Sequence, residues 1–452
     1  MSSAVNVTIS KVDREHLARW YRRNRTRSQA LFDMLADGAY YSRPIALRHP
    51  IVFYEGHLPG FSFNTLIKRG LGRPGIDGRL EALFARGIDP HESHATQAAR
   101  DAAIRDQWPA RAEVQQFARE ADRQVIEALE SGDIDQPGHL LDHAEAAHCI
   151  LEHEMMHQET LLYMWHRLPF ADKRRPEDYA PVTHGTSPEQ SWITVPAGTA
   201  TLGVSRGRTP FAWDNEQPSY HQDVAAFQVQ QHNITNAAFM AFIDAGGYQA
   251  KHWWRPEDWH WIHSERVEHP VFWERDPNGA WFWRGMFDRI PLPAAWPVYV
   301  SHAEATAYAA WQSARLMTEA EYQRAAYGDP QGGERSYPWG EQAPDGRHGV
   351  FDFNSWDPQP AGSHPAGASA WGVHDLAGNG WEWTSTVFAP FPGFSAMASY
   401  PEYSADFFDG EHYVMKGASP ATAAALIRPS FRNWFRPRYP YVYATLRCAR
   451  EA

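Results

Sequence analysis

Residues 139–168 read HLLDHAEAAHCILEHEMMHQETLLYMWHRL, and their apolar positions recur at helical spacing. Leu140, Ala144, Ala147, Leu151 and Met155 form one stripe. Lys11–Leu35 repeats the pattern with Leu17, Trp20, Tyr21, Leu31 and Leu35 among many Arg, and Ala110–Leu129 repeats it again. With the run HPIVFYEGHLPGFSFN at 49–64, four helices and short connections predict a helix bundle over residues 1–170. Residues 171–190 are charged, Pro-containing and aperiodic, the composition of a linker.

From residue 191 to 452 the texture changes. Short β-rich runs (SWITVPAG, TATLGV, FQVQQHNIT) alternate with Gly, Pro, Asn and Asp turns. Of the 20 Trp, all but Trp20, Trp108 and Trp165 lie here. Helical patterns occur near Asn236–Ala245 and His302–Ala314. The expectation is a compact, irregular α+β domain held by aromatic packing and turn hydrogen bonds, so the whole chain reads as α+β multidomain.

The chain has 452 residues, 43% hydrophobic and 21% charged, enough apolar material for two or three packed domains. A net charge of −12 argues against nucleic acid or an anionic membrane as the partner. No apolar run approaches a membrane span, and MSSAVNVTISKVDREHL has no signal-peptide core. Two cysteines, Cys149 and Cys448, cannot frame a chain this long with disulfides, so a reducing cytoplasm is expected.

The candidate chemistry lies in the 23 His. His153-Glu154-Met155-Met156-His157 sits inside the last bundle helix, where residues four apart are about 6 Å from each other on one face. Both imidazoles can therefore reach one ion. His57, in or at the end of another bundle helix, offers a third. Three imidazoles without a thiolate suit Fe(II), Zn(II), Cu(II) or Ni(II) and leave positions open for substrate or O2. The same five residues match H-E-x-x-H, the zinc-protease pattern with Glu154 as general base, but no second protease signature accompanies them. A His-rich helix surface, with His143 and His148 nearby, is the bland reading.

HPIVFYEGH (49–57) and LEHEMMHQE (151–159) resemble the DinB-type metal-binding bundle of the sulfoxide synthases of ergothioneine and ovothiol biosynthesis. Further motifs resemble the C-type-lectin-like domain shared with formylglycine-generating enzymes. They are FAWDNEQP (211–218), NITNAAFMAFIDAGGY (233–248), RLMTEAEY (315–322), YPWG (337–340), GVHDLAGNGWEWTST (372–386), SFRNWFRP (430–437) and LRCA (446–449). The match is collinear over nearly the whole chain. It implies non-heme Fe(II) held by His57, His153 and His157, with hercynine (trimethylhistidine), a chalcogen donor and O2 as substrates. Asn433 and Trp434 match the Asn-Trp pair that the family places near hercynine, and an indole face attracts a quaternary ammonium. Glu154 or Glu159 would orient the imidazoles. GNGWEWT is expected to hold the domain together. The copper chemistry of the formylglycine branch uses two thiolates, and this half has only Cys448.

Four positions depart from the relatives that use γ-glutamylcysteine. Where those have Asp and Arg to anchor the donor, this chain has Phe435 and Tyr439. The Gln before the second His is Met156. The Tyr that donates a proton or hydrogen bond at the metal is not found between Thr384 and Tyr400, where Phe388, Phe391 and Phe394 stand. Aromatic rings suit a neutral sugar better than an ionic donor. The resemblance therefore points to the selenoneine synthase branch, which joins hercynine to a selenosugar. The alternative is a sulfoxide synthase using cysteine or γ-glutamylcysteine. Outside the family stand a zinc hydrolase, a DinB-type thiol transferase, and a lectin-like module that only binds ligands.

Overall fold

The computed structural model describes residues 12–85, 108–138 and 140–452. Lys11 and His139, read above as the starts of helices, lie outside the described residues. The chain forms two compact units. The first comprises the chain to Arg175 together with Arg206–Asp214 and Ser395–Asp406; the second holds Pro176–Ser205, Asn215–Phe394 and Phe407–Ala452. The two excursions into the helical unit are not part of a contiguous 1–170 bundle.

In the helical unit, α1 (Arg14–Asp33) starts where the Asp13 side chain accepts from the His16 amide. Helix α2 (Ile51–Ser62) is buried on every residue, and runs on into a π-helical stretch, Phe63–Gly70. A helix that is apolar all round belongs at the centre of a bundle. Helix α3 (Gly78–Phe84) is short, capped by Asp77 accepting from the Arg79 and Leu80 amides. Helices α4 (Arg111–Ser131) and α5 (Glu145–Arg167) complete the set, with α2 against α4 and α1 against both α4 and α5. The two excursions are tied down by hydrogen bonds: Ser399 Oγ donates to Glu145 (2.8 Å), and Arg69 donates to the carbonyls of Ala398 and Ser399 (2.9 and 3.0 Å). Asp214 accepts from Ser404 Oγ at 2.5 Å.

The segment read as a linker is bonded rather than loose. The Ala36 amide donates to Asp172 O and the Arg174 amide to Met34 O, within the helical unit. Further on, Tyr179 donates to Asp357 (2.6 Å) and Trp296 Nε1 to Val182 O (2.8 Å), within the second unit.

The second unit is mixed helix and sheet. Strands β1 (Trp192–Val195), β4 (Phe227–Gln230), β13 (Cys448–Glu451) and β8 (Arg315–Leu316) form one sheet in the order β1-β4-β13-β8, while β2 (Gly198–Leu202) pairs with β3 (Tyr220–Val224) and β5 (Trp273–Arg275), β6 (Trp281–Arg284) and β7 (Arg289–Pro291) make a small meander. A second sheet orders β11 (Asn433–Phe435), β10 (Tyr413–Ala418), β9 (Gly380–Val387) and β12 (Ala444–Thr445). Strand β9 is GWEWTSTV, and its alternation sends Trp381 and Trp383 to one face while Glu382 goes to the other. There Glu382 meets Arg447 in a fully buried pair (2.6 Å), and Arg447 also donates to the carbonyls of Gln230, Gln231 and His374. Asn379 sits at φ +66° and exchanges two hydrogen bonds with the Gln359 backbone. GNGWEWT is thus packing and polar stitching.

The expected helices are present as α6 (Asn236–Asp244) and α8 (His302–Trp311). Two others, α7 (Pro256–Ser264) and α9 (Glu319–Tyr327), were not expected; Pro opens the first turn of α7, and a Thr318/Glu321 capping box starts α9. No helix among the described residues is long and apolar enough to cross a membrane.

Candidate metal centre

His57, His153 and His157 converge. Each offers a ring nitrogen, and these atoms lie within 4.8 Å of one another. No other group of three or more His, Cys, Asp or Glu side chains among the described residues does so. His153 and His157 share a face of α5, their ring centroids 4.4 Å apart, and His57 arrives from α2 at 5.2 and 5.0 Å. Burial holds His57 down at about 4 and, with repulsion among the rings, holds His153 and His157 well below the usual imidazole range. All three are therefore neutral near pH 7, the form that donates a lone pair to a metal.

The hydrogen-bond accounting supports the same use. Both ring nitrogens of buried His153, and Nδ1 of His157, have no hydrogen-bond partner. Such atoms cost free energy unless something binds them. A divalent ion of the borderline class fits three imidazoles, with no thiolate or carboxylate in the set. His57 is different: its Nδ1 lies 2.6 Å from the Phe84 carbonyl oxygen. A carbonyl only accepts, so Nδ1 carries the proton and Nε2 the lone pair.

Aromatic rings orient the ligands where carboxylates do not. His49, just before α2, and Phe53, His57 and Phe61 within it recur every fourth residue. Phe53 stacks on His57 (4.8 Å), and Phe61 stacks on His153 (3.6 Å). Glu154, expected to orient an imidazole or act as a base, instead faces α1. Its Oε1 accepts from Arg25 (2.8 Å) and Ser28 (2.6 Å), while Arg25 also meets Asp122 (2.9 Å). Position 154 is one residue, or about 100°, around the helix from His153, so its carboxylate belongs to the interior polar network of the bundle. No carboxylate reaches His153, since neither of its nitrogens has a partner.

Two tyrosines stand beside this cluster that the linear reading did not place there. Tyr400, in the excursion Ser395–Asp406, lies 6.0 Å from the His153 ring and 5.0 Å from Phe61. Tyr403 donates to the Met156 thioether at 3.3 Å and stacks on Trp213 at 3.9 Å. Burial raises the Tyr400 phenol, which keeps its proton. The sequence signal was slight: an aromatic pair at i, i+3 in a segment with no periodicity.

The other predicted residues gather in the second unit. Asn433, Trp434 and Phe435 form β11, and Asn433 Oδ1 accepts from the Trp434 amide at 2.8 Å. One face of Trp434 is spent on Phe388, parallel at 4.2 Å, with Phe407 tilted at 5.7 Å. Phe435 stacks on Tyr439 at 5.2 Å and 12°, and Tyr439 meets Tyr441 edge-on. The neighbouring guanidiniums already face carboxylates: Arg438 meets Asp258 at 2.8 Å, and Arg436 lies 3.9 Å from Asp409 and Glu411. Cys448 is buried and its thiol is pushed up to about 12.

Comparison with known proteins gives two family matches, one to each half of the chain. Residues 21–161 match the DinB superfamily, and residues 178–452 match the sulfatase-modifying factor enzyme 1-like domain. A hercynine oxygenase of Mycolicibacterium smegmatis is 37% identical over 66% of this chain and 70% of its own length. One from Mycolicibacterium thermoresistibile is 41% identical over 55% of this chain and 56% of its own. Ergothioneine biosynthesis protein 1 of Neurospora crassa is 26% identical over 92% of this chain, which spans 56% of that protein. A DinB bundle running into a sulfatase-modifying-factor-like domain, shared with relatives that carry those names, makes this chain a member of the ergothioneine-type sulfoxide synthase family.

Proposed function

We propose that this protein forms a carbon–chalcogen bond at imidazole C2 of hercynine, using iron(II) and O2, with a neutral selenosugar as the donor. The observation that carries the first part is the convergence of three neutral imidazoles, two of which, His153 and His157, keep ring nitrogens without a hydrogen-bond partner. Bound iron would supply the one-electron and O2 chemistry. His57, His153 and His157 would hold it, and the Phe rings stacked on two of them limit their rotation. Tyr400, protonated and next to His153, is the O–H donor at the site, in the role that the family gives to a Tyr. In the second unit, the indole of half-buried Trp434 would receive the trimethylammonium of hercynine, a cation–π contact worth roughly 1–2 kcal/mol when desolvated.

The donor assignment rests on the stacked pair Phe435–Tyr439. A sugar is gripped by ring faces and hydroxyl hydrogen bonds, and the carboxylate-paired Arg436 and Arg438 supply no spare handle for an ionic thiol. The names of the relatives favour the second reading, a sulfoxide synthase with cysteine or γ-glutamylcysteine as donor. A hydrolase using Glu154 as base is disfavoured by the pairing of that carboxylate with Arg25 and Ser28.

The test is a parallel incubation of the iron(II)-loaded protein with hercynine, O2 and either cysteine, γ-glutamylcysteine or a selenosugar, with products identified by mass. A selenium adduct of hercynine in preference to sulfur adducts supports the proposal. Efficient turnover of γ-glutamylcysteine with no selenium product replaces it with the sulfoxide synthase. Hydrolysis without O2 uptake in a zinc-loaded protein removes both. Trp434→Ala should weaken hercynine binding tenfold or more, and histidine should bind the parent poorly. Equal affinity for histidine and hercynine would remove the cation–π role.

A further inference from the structure

Helix α2 carries a glycine immediately before a metal-ligand position. Gly56 sits in regular helix, where glycine is about 1 kcal/mol worse than alanine and no special backbone angle requires it. What it provides is the absence of a side chain. A Cβ at Gly56 would lie 2.4 Å from the Phe84 ring, closer than real contacts allow. The ring is fully buried and touches Phe117 (6.0 Å) and Phe53 (6.4 Å).

Phe84 is also the last residue of α3, and the last four carbonyls of a helix have no partner within it. The Phe84 carbonyl finds one in His57 Nδ1, at 2.6 Å. The seat of the ring therefore sets where the carbonyl stands, and the carbonyl sets which nitrogen of His57 keeps its proton. We infer that Gly56 and Phe84 are positioning residues: the Phe84 ring, seated against Gly56, fixes the terminal carbonyl of α3, which holds His57 as the Nδ1–H tautomer with Nε2 turned to His153 and His157. This rests on the reading of the three histidines as a metal site and does not depend on the substrate.

The experiment compares the parent with Phe84→Ala, Gly56→Ala and the double variant Gly56→Ala/Phe84→Ala, in which the new methyl has room. Nitrogen-15 imidazole shifts in the metal-free proteins report the His57 tautomer. Competition with a chelator for Co(II) reports metal affinity, and thermal melting reports packing. The expected result for Phe84→Ala and for the double variant is a folded protein with a mixed His57 tautomer and Co(II) affinity lowered about 10- to 100-fold. Retention of one Nδ1–H tautomer and parent affinity in both would overturn the inference. So would a loss of affinity that follows the melting temperature while the tautomer stays fixed, since that is packing alone. A parent that binds no Co(II) overturns the metal reading itself, and is told apart because it shows no affinity to lose while its His57 tautomer is still measured.

Discussion

The ring of Phe61 lies flat on the imidazole of His153, centroids 3.6 Å apart and planes 13° from parallel. Neither nitrogen of His153 has a hydrogen bond, so its orientation is set by packing. Phe61→Leu keeps most of the volume and should cost about 0.5–1.5 kcal/mol of stability. Phe61→Ala leaves a cavity and should cost about 3–5 kcal/mol. Both should weaken metal binding, the second more, as read by melting and by metal titration. Unchanged metal affinity in Phe61→Ala would show that the stack does not orient the ligand.

Replacement of His57, His153 or His157 by Ala, one at a time, should abolish iron loading and turnover while leaving helical circular dichroism intact. Each removes one of only three donors, and none of the rings anchors a salt bridge. Full iron content and activity in His57→Ala would dissolve the three-histidine site.

Glu154→Gln separates a structural carboxylate from a catalytic one. The side chain is buried and its charge is balanced by Arg25. Gln keeps an oxygen for Arg25 and Ser28, and Asp122 still balances the guanidinium at 2.9 Å, so the cost is the weakened charged hydrogen bonds, about 1–3 kcal/mol. The expected outcome is a lower melting temperature with turnover per metal-loaded molecule unchanged. A loss of turnover by several orders of magnitude in folded protein would restore Glu154 as a base.

Phe435→Asp with Tyr439→Arg should shift donor preference toward γ-glutamylcysteine. An ionic bidentate contact is worth a few kcal/mol, roughly 10²-fold in affinity, though Met156 keeps part of the difference in place. The measurement is the ratio of kcat/KM for γ-glutamylcysteine and a selenosugar in parent and variant. An unchanged ratio removes these two positions from donor selection.

Acid sensitivity has an identifiable contributor in the second unit. His302 is buried, stacked on Tyr413, with Nε2 3.1 Å from Thr384 O, and burial pulls it down to about 3, with Arg255 adding to the effect. Between pH 6.5 and 3 the unfolded chain holds a proton here that the native state refuses, so stability falls as pH falls through that window. His302→Gln removes this term and should reduce the loss by about 1.4 kcal/mol per pH unit below 6. Urea titrations at pH 7, 6, 5 and 4 measure it, and identical slopes in parent and variant would mean that His302 does not stay neutral.

What the sequence determined by itself was local. The i, i+4 spacing of His153 and His157 puts two ligands on one face because the backbone helix fixes that geometry. The largely apolar run around His57 placed that residue in or at the end of a bundle helix, and GNGWEWT read as a stretch that holds the second domain together. The direction of Glu154 also followed from helical rotation, although the H-E-x-x-H match drew the eye to its chemistry.

The tertiary structure alone decided the rest, because it depends on contacts between positions distant in sequence. Nothing in the segment 395–406 has periodicity, yet its hydrogen bonds to Arg69 and Glu145 bring Tyr400 to His153, some 250 residues earlier in the chain. The same holds for the carbonyl of Phe84 on His57, where a backbone atom leaves no trace in residue identity. Side-chain spacing along one helix is written in the chain; which carbonyl, ring or phenol arrives from elsewhere is settled only when the buried surfaces pack.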